Sequence, residues 1–317
     1  MKTNKPKAKT KIGENSNIKI VKNKIIYENI DIDSDIKKLL LAKGIMKGVS
    51  LIAEINKKTG RSVITISNHI KHLVTTEQII RIESKDFGKY GIIADGRAPF
   101  LASLQTQEAK MYVDKIFELL ESKNADDIKL AGRELRHYHL DYSGKYFLNG
   151  EQLNTLTNIL ENSIDENKFK EFKDDEFRTI LLMIIFNEIS KNKKEPKDKD
   201  PFLESLGKLL DLYKTEEYYS KPINQNPMPY IIRILGIYRN KKLIERLKHD
   251  VSSCTNQVLL TIVPYFCNEN TAKTIEDNRI ELLQFEQKLQ KGGKIEALEF
   301  IDGIRREATR ILSEMKT

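Results

Sequence analysis

Apolar residues near the start of the chain recur at helical spacing in three short runs: Ile36, Leu39 and Leu40, then Leu51, Ile52 and Ile55, then Ile66, Ile70 and Leu73. Steps of three and four place such residues on one face of a helix, so the runs predict three consecutive amphipathic helices. Ser34 and Ser50 are suited to cap the first two, because a serine hydroxyl can accept from the free N–H groups of a first turn. Gly60 can end the second helix in the left-handed conformation, and Arg61 and Ser62 then lead into a third over Val63 to Thr75. The period changes after that helix. Ile79 to Ser84 and Tyr90 to Ala94 are β-favouring runs separated by Lys85 to Lys89, which contains Gly88, and this predicts a hairpin.

Downstream the spacing is helical nearly throughout. Met111, Tyr112, Ile116, Leu119 and Leu120 form one stripe, Leu153, Leu156 and Leu160 another, and Leu203, Leu206, Leu209, Leu210 and Tyr213 a third. Ile231 to Leu247 and Asn256 to Phe266 read as two more helices, and Thr271 to Gln290 with Lys294 to Met315 as a helical hairpin broken at Gly292-Gly293. Loops fall at Lys191 to Pro201 (KNKKEPKDKDP) and Lys221 to Pro229, where charge and proline interrupt the pattern. No constant repeat period is visible. The expected fold is mainly α: a winged helix-turn-helix with a two-stranded wing, followed by an all-α domain, either a bundle or an irregular helical repeat. The expected divisions are a basic flexible arm and short extended segment over 1–30, the winged helix-turn-helix over 31–100, a linking helix over 101–124 and the helical domain over 125–317 with its charged loop near 191–201.

Charge changes this picture more than composition does. At 39% apolar and 32% charged residues the chain is of ordinary globular type, and no apolar run reaches the length of a membrane span, so a cytoplasmic protein is expected. The formal charge of +8 is uneven: residues 1–30 carry +6, residues 31–100 carry +4, and the remainder sums to −2. A basic end on a nearly neutral body suits a polyanion such as DNA. The two cysteines, Cys254 and Cys267, match no paired motif and are expected to be buried reduced thiols.

The candidate site lies on the third helix. Thr65, Asn68, His69 and His72 fall at i, i+3, i+4 and i+7, giving a polar face opposite Ile66, Ile70 and Leu73. Asn can bond adenine bidentately, Thr can bond a base or touch a thymine methyl, and neutral His can donate or accept. Arg61 and Ser62 ahead of the helix, Lys71 at its margin, Arg81 on the first wing strand and Lys85 and Lys89 flanking the wing tip complete the expected DNA-binding set.

The segment KKTGRSVITISNHIKHLVTTEQIIRIES resembles the turn, recognition helix and first wing strand of MarR-like and ArsR-like winged-helix transcriptional regulators. The resemblance rests on Gly60, Ser62, the triplet Thr65-Ile66-Ser67, Leu73 and the Ile79-Ile80 entry to the wing, and it covers about 65 of the 317 residues. It implies a recognition helix in the major groove, a wing on the adjacent backbone, and a following helix, here Leu101 to Leu120, that builds a homodimer. The chain departs from the pattern at Gln78, where these families turn with Gly, at the poor helix formers Thr75-Thr76, and in lacking metal-site cysteines beside the first or third helix.

Catalytic signatures are missing: the sequence contains no GxxxxGK[ST], GxGxxG or HExxH. His137 and His139 are two apart and fall on different helix faces, and Asp165 to Lys170 has Lys170 where a calcium loop needs Gly. No cofactor, metal or catalytic residue is expected. The function predicted is a sequence-specific double-stranded DNA-binding regulator, not an enzyme, with the helical domain serving dimerisation, a small ligand or a protein partner. A replication, partition or chromatin protein, or a winged-helix interaction scaffold, are the other readings.

Overall fold

The computed structural model describes residues 16–21, 24–29, 31–94, 96–122, 124–141, 147–164, 174–214, 217, 221–222 and 225–316. The basic arm up to residue 15 and the 165–170 segment weighed as a calcium loop lie outside the described residues, as does the side chain of His139. The described chain divides into two compact units. Residues up to 87 and 94–111 belong to the first, and 88–93 with those from 112 on to the second.

The first unit opens with antiparallel strands β1 (Ser16–Val21) and β2 (Lys24–Asn29), paired from Ser16↔Asn29 to Val21↔Lys24, where a single extended segment was expected. Helix α1 (Ile32–Lys43) begins earlier than Ser34 suggests. Asp31 is the cap, its Oδ1 accepting the Ser34 N–H at 3.0 Å, while Asp33 and Asp35 favour the positive end of the helix. Strand β3 (Met46–Lys47) runs straight into α2 (Gly48–Thr59), so Lys47 rather than Ser50 is the N-cap residue and supplies no side-chain cap. The end of α2 is as predicted: Gly60 takes φ 69° and its N–H donates to Asn56 O at 2.8 Å. Helix α3 spans Val63–Thr75, with Ser62 Oγ accepting the Thr65 N–H at 3.1 Å.

The turn out of α3 explains the departure at Gln78. The Gln78 N–H donates to Leu73 O at 2.9 Å and the Glu77 N–H to Val74 O at 3.1 Å, the paired bonds of a Schellman cap with Glu77 in the left-handed position at φ 55°. An L side chain there carries strain that glycine escapes. Glu77→Gly is therefore expected to raise stability by about 0.5–1 kcal/mol, read as an upward shift of the thermal midpoint with α3 otherwise unchanged.

Strands β4 (Ile79–Ile82) and β5 (Phe100–Ser103) pair antiparallel from Ile79↔Ser103 to Ile82↔Phe100, and β3 adds to the other edge of β5, giving the order β3-β5-β4. The second hairpin strand thus lies at 100–103 and not at Tyr90 to Ala94. Two short 3-10 turns, Ser84–Asp86 and Gly88–Tyr90, occupy the expected wing tip. Gly91 is the reason. Its φ of +62° breaks extended backbone, and a Cβ there would come within 2.7 Å of both Phe147 O and Lys194 Nζ, so close packing overrides the β propensity of Ile92-Ile93. At the true strand Leu101 and Ala102 are buried, and the Phe100 ring meets Phe87 edge-on at 5.1 Å. The core of the unit joins Ile36 and Leu40 of α1, Leu51 and Ile55 of α2 and Ile66 and Leu73 of α3 to Met46, Ile79 and Leu101 of the sheet.

Helix α4 (Leu104–Leu120) starts three residues later than the linking helix was expected to, since Leu101–Ser103 is strand, and the division between units falls within it, after Met111. The second unit is all-α among its described residues: α5 (Ala125–Asp141), α6 (Gly150–Asn162), α7 (Asp175–Ser190), α8 (Lys199–Leu212), α9 (Met228–Ile237), α10 (Lys242–Ser253), α11 (Asn256–Phe266), α12 (Glu269–Asp277), α13 (Arg279–Lys291) and α14 (Ile295–Glu314). Packing stays mostly local along the chain, α5 on α7, α6 on α7 and α8, α9 on its neighbours from α7 to α12, and α14 on α12 and α13. Helices α7 and α9 carry apolar residues all round and are correspondingly the most buried.

Two expected helices are each a pair. Ile231 to Leu247 breaks where Arg239 takes φ 53°, with the Asn240 N–H donating to Leu235 O at 2.9 Å and the Arg239 N–H to Gly236 O at 3.0 Å, a second Schellman cap without glycine. Thr271 to Gln290 breaks at Asn278. The hairpin at Gly292-Gly293 is present, Gly293 having φ 71°. The charged loop ends before Lys199, and Lys194 and Pro196 within it are buried.

Candidate nucleic-acid interface

Helix α3 is set by its inner face. Ile66 and Leu73 are fully buried, Ile70 and Val74 partly so, and together they seat the helix on α1 and α2. What remains outward is the stripe Ile64, Asn68, Lys71, His72 and Thr75. This stripe is turned by roughly 70° about the helix axis from the polar face read in the sequence, taking 100° per residue. Thr65 and His69 lie at its edge and are half-buried.

Each shifted residue has a structural partner. Thr65 Oγ1 is 2.9 Å from Ser62 Oγ within the cap. His69 Nδ1 lies 2.8 Å from Asp33 Oδ1, which ties α3 to the first turn of α1 with both side chains about 30% exposed. His69 thus positions the helix and has little freedom to read a base. The Arg61 carbonyl accepts from Asn56 Nδ2 at 2.6 Å, while its Nε and Nη2 are buried with no hydrogen-bond partner among the described residues. Arg61 sits at the positive end of α3, beside the N–H groups of the first turn.

The expected wing residues separate. Arg81 on β4 is exposed and its Nε lies 2.6 Å from Glu83 Oε1, so its charge is offset locally. Lys85 is exposed on the first 3-10 turn, in the first unit, and Lys89, also exposed, is on the second, in the second unit; both lie within the connection from β4 to β5, since the second strand begins only at Phe100. The structure therefore gathers Arg61, Ser62, Thr65, Asn68, His69, Lys71 and His72 on α3 and its approach, while Arg81 lies on β4, Lys85 in the connection that follows it and Lys89 in the second unit.

Sequence reasoning missed the apolar members of this surface. On α3 Val63 is 56% exposed and Ile64 75%; elsewhere in the unit Val49, in the first turn of α2, is 68% exposed. Their signal was present: with Ile66, Ile70 and Leu73 facing in, a residue two before Ile66 must point about 200° away from it.

The second unit offers other chemistry. Lys194 Nζ and Glu188 Oε2 form an ion pair at 2.7 Å with both side chains about 5% exposed, and Arg246 Nε lies 2.7 Å from the fully buried Asp250 Oδ1. A groove of about 480 Å³ between α5 and α7 has an apolar floor of Ile128, Phe177 and Ile180, with Lys129, Arg133 and Arg136 on one side and Asp174 and Glu176 on the other. Arg136 and Glu176 are paired across it at 2.6 Å. Both cysteines are half-buried and neither is in a disulfide, and burial, with Glu307 nearby, pushes the Cys267 thiol up to about 11. Among the described residues no group of three or more His, Cys, Asp and Glu could hold a metal ion, and no helix is long and apolar enough to cross a membrane. Compared with protein-family models, curated proteins and solved structures, the chain matches none.

Proposed function

We propose that the first unit is a winged helix-turn-helix that binds double-stranded DNA, and that the protein is a sequence-specific transcriptional regulator and not an enzyme. The observation that carries this reading is the outer stripe of α3, a helix pinned by a buried face and a tight Gly60 turn yet presenting Asn68, Lys71 and His72 outward. Asn68 supplies the adenine-reading amide, and Lys71 the phosphate contact. The order α1-β3-α2-α3-β4-β5 supports this reading, in which β4 and β5 serve as the wing and the connection between them carries Lys85. In this reading the protein works in the cytoplasm as a homodimer on a pseudo-palindromic site. The helical unit supplies dimerisation or senses a partner or small ligand, and the α5–α7 groove is where a ligand would sit.

The test is selection of bound sequences from a random duplex pool, followed by titration of the enriched duplex and a scrambled one at two salt concentrations. An enriched inverted repeat bound roughly a thousandfold more tightly than the scrambled duplex is the expected result. Asn68→Ala is expected to cost about tenfold or more in affinity for that duplex while leaving the thermal midpoint unchanged, because the side chain is exposed. Salt-sensitive binding without enrichment would favour a replication, partition or chromatin role. No binding at low salt would overturn the DNA reading and leave an interaction scaffold, a role that the exposed Val49, Val63 and Ile64 also suit.

A further inference from the structure

Ile64 is the most exposed large apolar side chain among the described residues of the first unit, at 75%. It contributes nothing to the core, which α3 reaches through Ile66 and Leu73. Helix formation does not favour it either, since a β-branched side chain is stiff at χ1 and a poorer helix former than alanine. It is not isolated on the helix surface. Asn68 lies four residues on along the same stripe, followed by Lys71 and Thr75. From the N-terminal end the stripe therefore presents a branched hydrocarbon, an amide and an ammonium group.

Those three groups have different counterparts in a major groove: a thymine methyl, an adenine edge and a phosphate. Four residues of helix rise about 6 Å, close to two base-pair steps of about 3.4 Å. Resting on the DNA reading above, we propose that Ile64 is a specificity-determining residue that packs on the 5-methyl group of a thymine, within about two base pairs of the base bound by Asn68. A protein-binding surface is the less favoured occupant, because along the outer stripe Ile64 is followed by Asn68, Lys71, His72 and Thr75, all polar, and on α3 only the neighbouring Val63 adds exposed apolar surface.

The experiment replaces each thymine of the enriched duplex, one at a time, with deoxyuridine, which removes the methyl and leaves the hydrogen-bonding edge intact. Affinities are measured for the full chain and for Ile64→Ala, whose fold is checked by circular dichroism. One deoxyuridine position per half-site is expected to weaken the wild-type protein about threefold to tenfold and to leave Ile64→Ala unaffected. A wild-type protein indifferent to every replacement, or an Ile64→Ala variant as sensitive as the wild type, overturns the assignment while the DNA reading stands. Failure to bind any duplex at low salt overturns both, and makes the exposed isoleucine a protein contact.

Discussion

Glu188→Gln is expected to destabilise the helical unit by about 3–5 kcal/mol. Lys194 Nζ donates to Glu188 Oε2 at 2.7 Å and to the Leu148 carbonyl, and it lies 5.7 Å from the centre of the Phe147 ring. Glu188 Oε1 in turn accepts the Leu148 N–H at 3.4 Å. Removing the carboxylate charge leaves a buried ammonium facing only neutral groups: the Leu148 carbonyl, the new amide and the Phe147 ring. Breaking such a pair costs far more than the intact pair contributes, because the surviving charge keeps its desolvation penalty. Lys194→Met with Glu188→Leu, which removes both charges, is expected to fall within about 1–2 kcal/mol of wild type, the residue being the Leu148 backbone groups that lose their partners.

Urea denaturation followed through the helical signal checks both values, and pH sharpens the test. Burial holds Lys194 below the ordinary lysine value of 10.5, with Glu188 opposing the shift. A lysine whose folded pKa is lowered binds its proton less readily in the folded state, so stability rises as pH climbs from the folded value toward 10.5. The deficit of Glu188→Gln should accordingly shrink in alkaline solution, as the lysine becomes able to stay buried neutral. A single-variant loss below about 1 kcal/mol at neutral pH would mean that water reaches the pair.

Ile66→Ala is expected to cost about 2–5 kcal/mol in the first unit. Ile66 is 0% exposed and joins α3 to Ile36, Leu51 and Leu101, so truncation removes apolar burial and leaves a cavity among residues on three other elements. Hydrogen exchange is the appropriate measurement, since it reads the first unit apart from the second: amides of α1, α2 and α3 should lose protection together while those of α9 keep theirs. Ile66→Val should cost only about 0.5–1.5 kcal/mol. Protection unchanged in Ile66→Ala would show that α3 is held by the Asp33–His69 link and the caps more than by its apolar face.

The parts legible in the sequence are those dictated by local rules. Helix α3 has the bounds that its period and the Gly60 turn ahead of it predict, and Gly60 takes the left-handed turn because no other residue there does so without strain. The parts that were not legible depend on distant partners. Nothing local marks Lys194, within a run of exposed lysines, as the one that faces Glu188. Gly91 reads as a strand residue until Phe147 and Lys194 are seen to occupy the space a side chain would need. The helix break at Arg239 went unseen because its cap uses a left-handed non-glycine residue, which carries no compositional signal. On α3 the period separated inside from outside correctly but could not show that Asp33 draws His69 in, which turns the outward stripe toward Ile64.

The connection from β4 to β5 runs over residues 83–99, and its middle, 88–93, belongs to the helical unit while both strands belong to the first. The two units are thus interleaved along the chain, and no single cut separates them: a fragment ending before residue 88 lacks β5, while one covering residues 31–111 keeps β5 but carries Gly91 without Phe147 and Lys194, the neighbours that make a side chain impossible there.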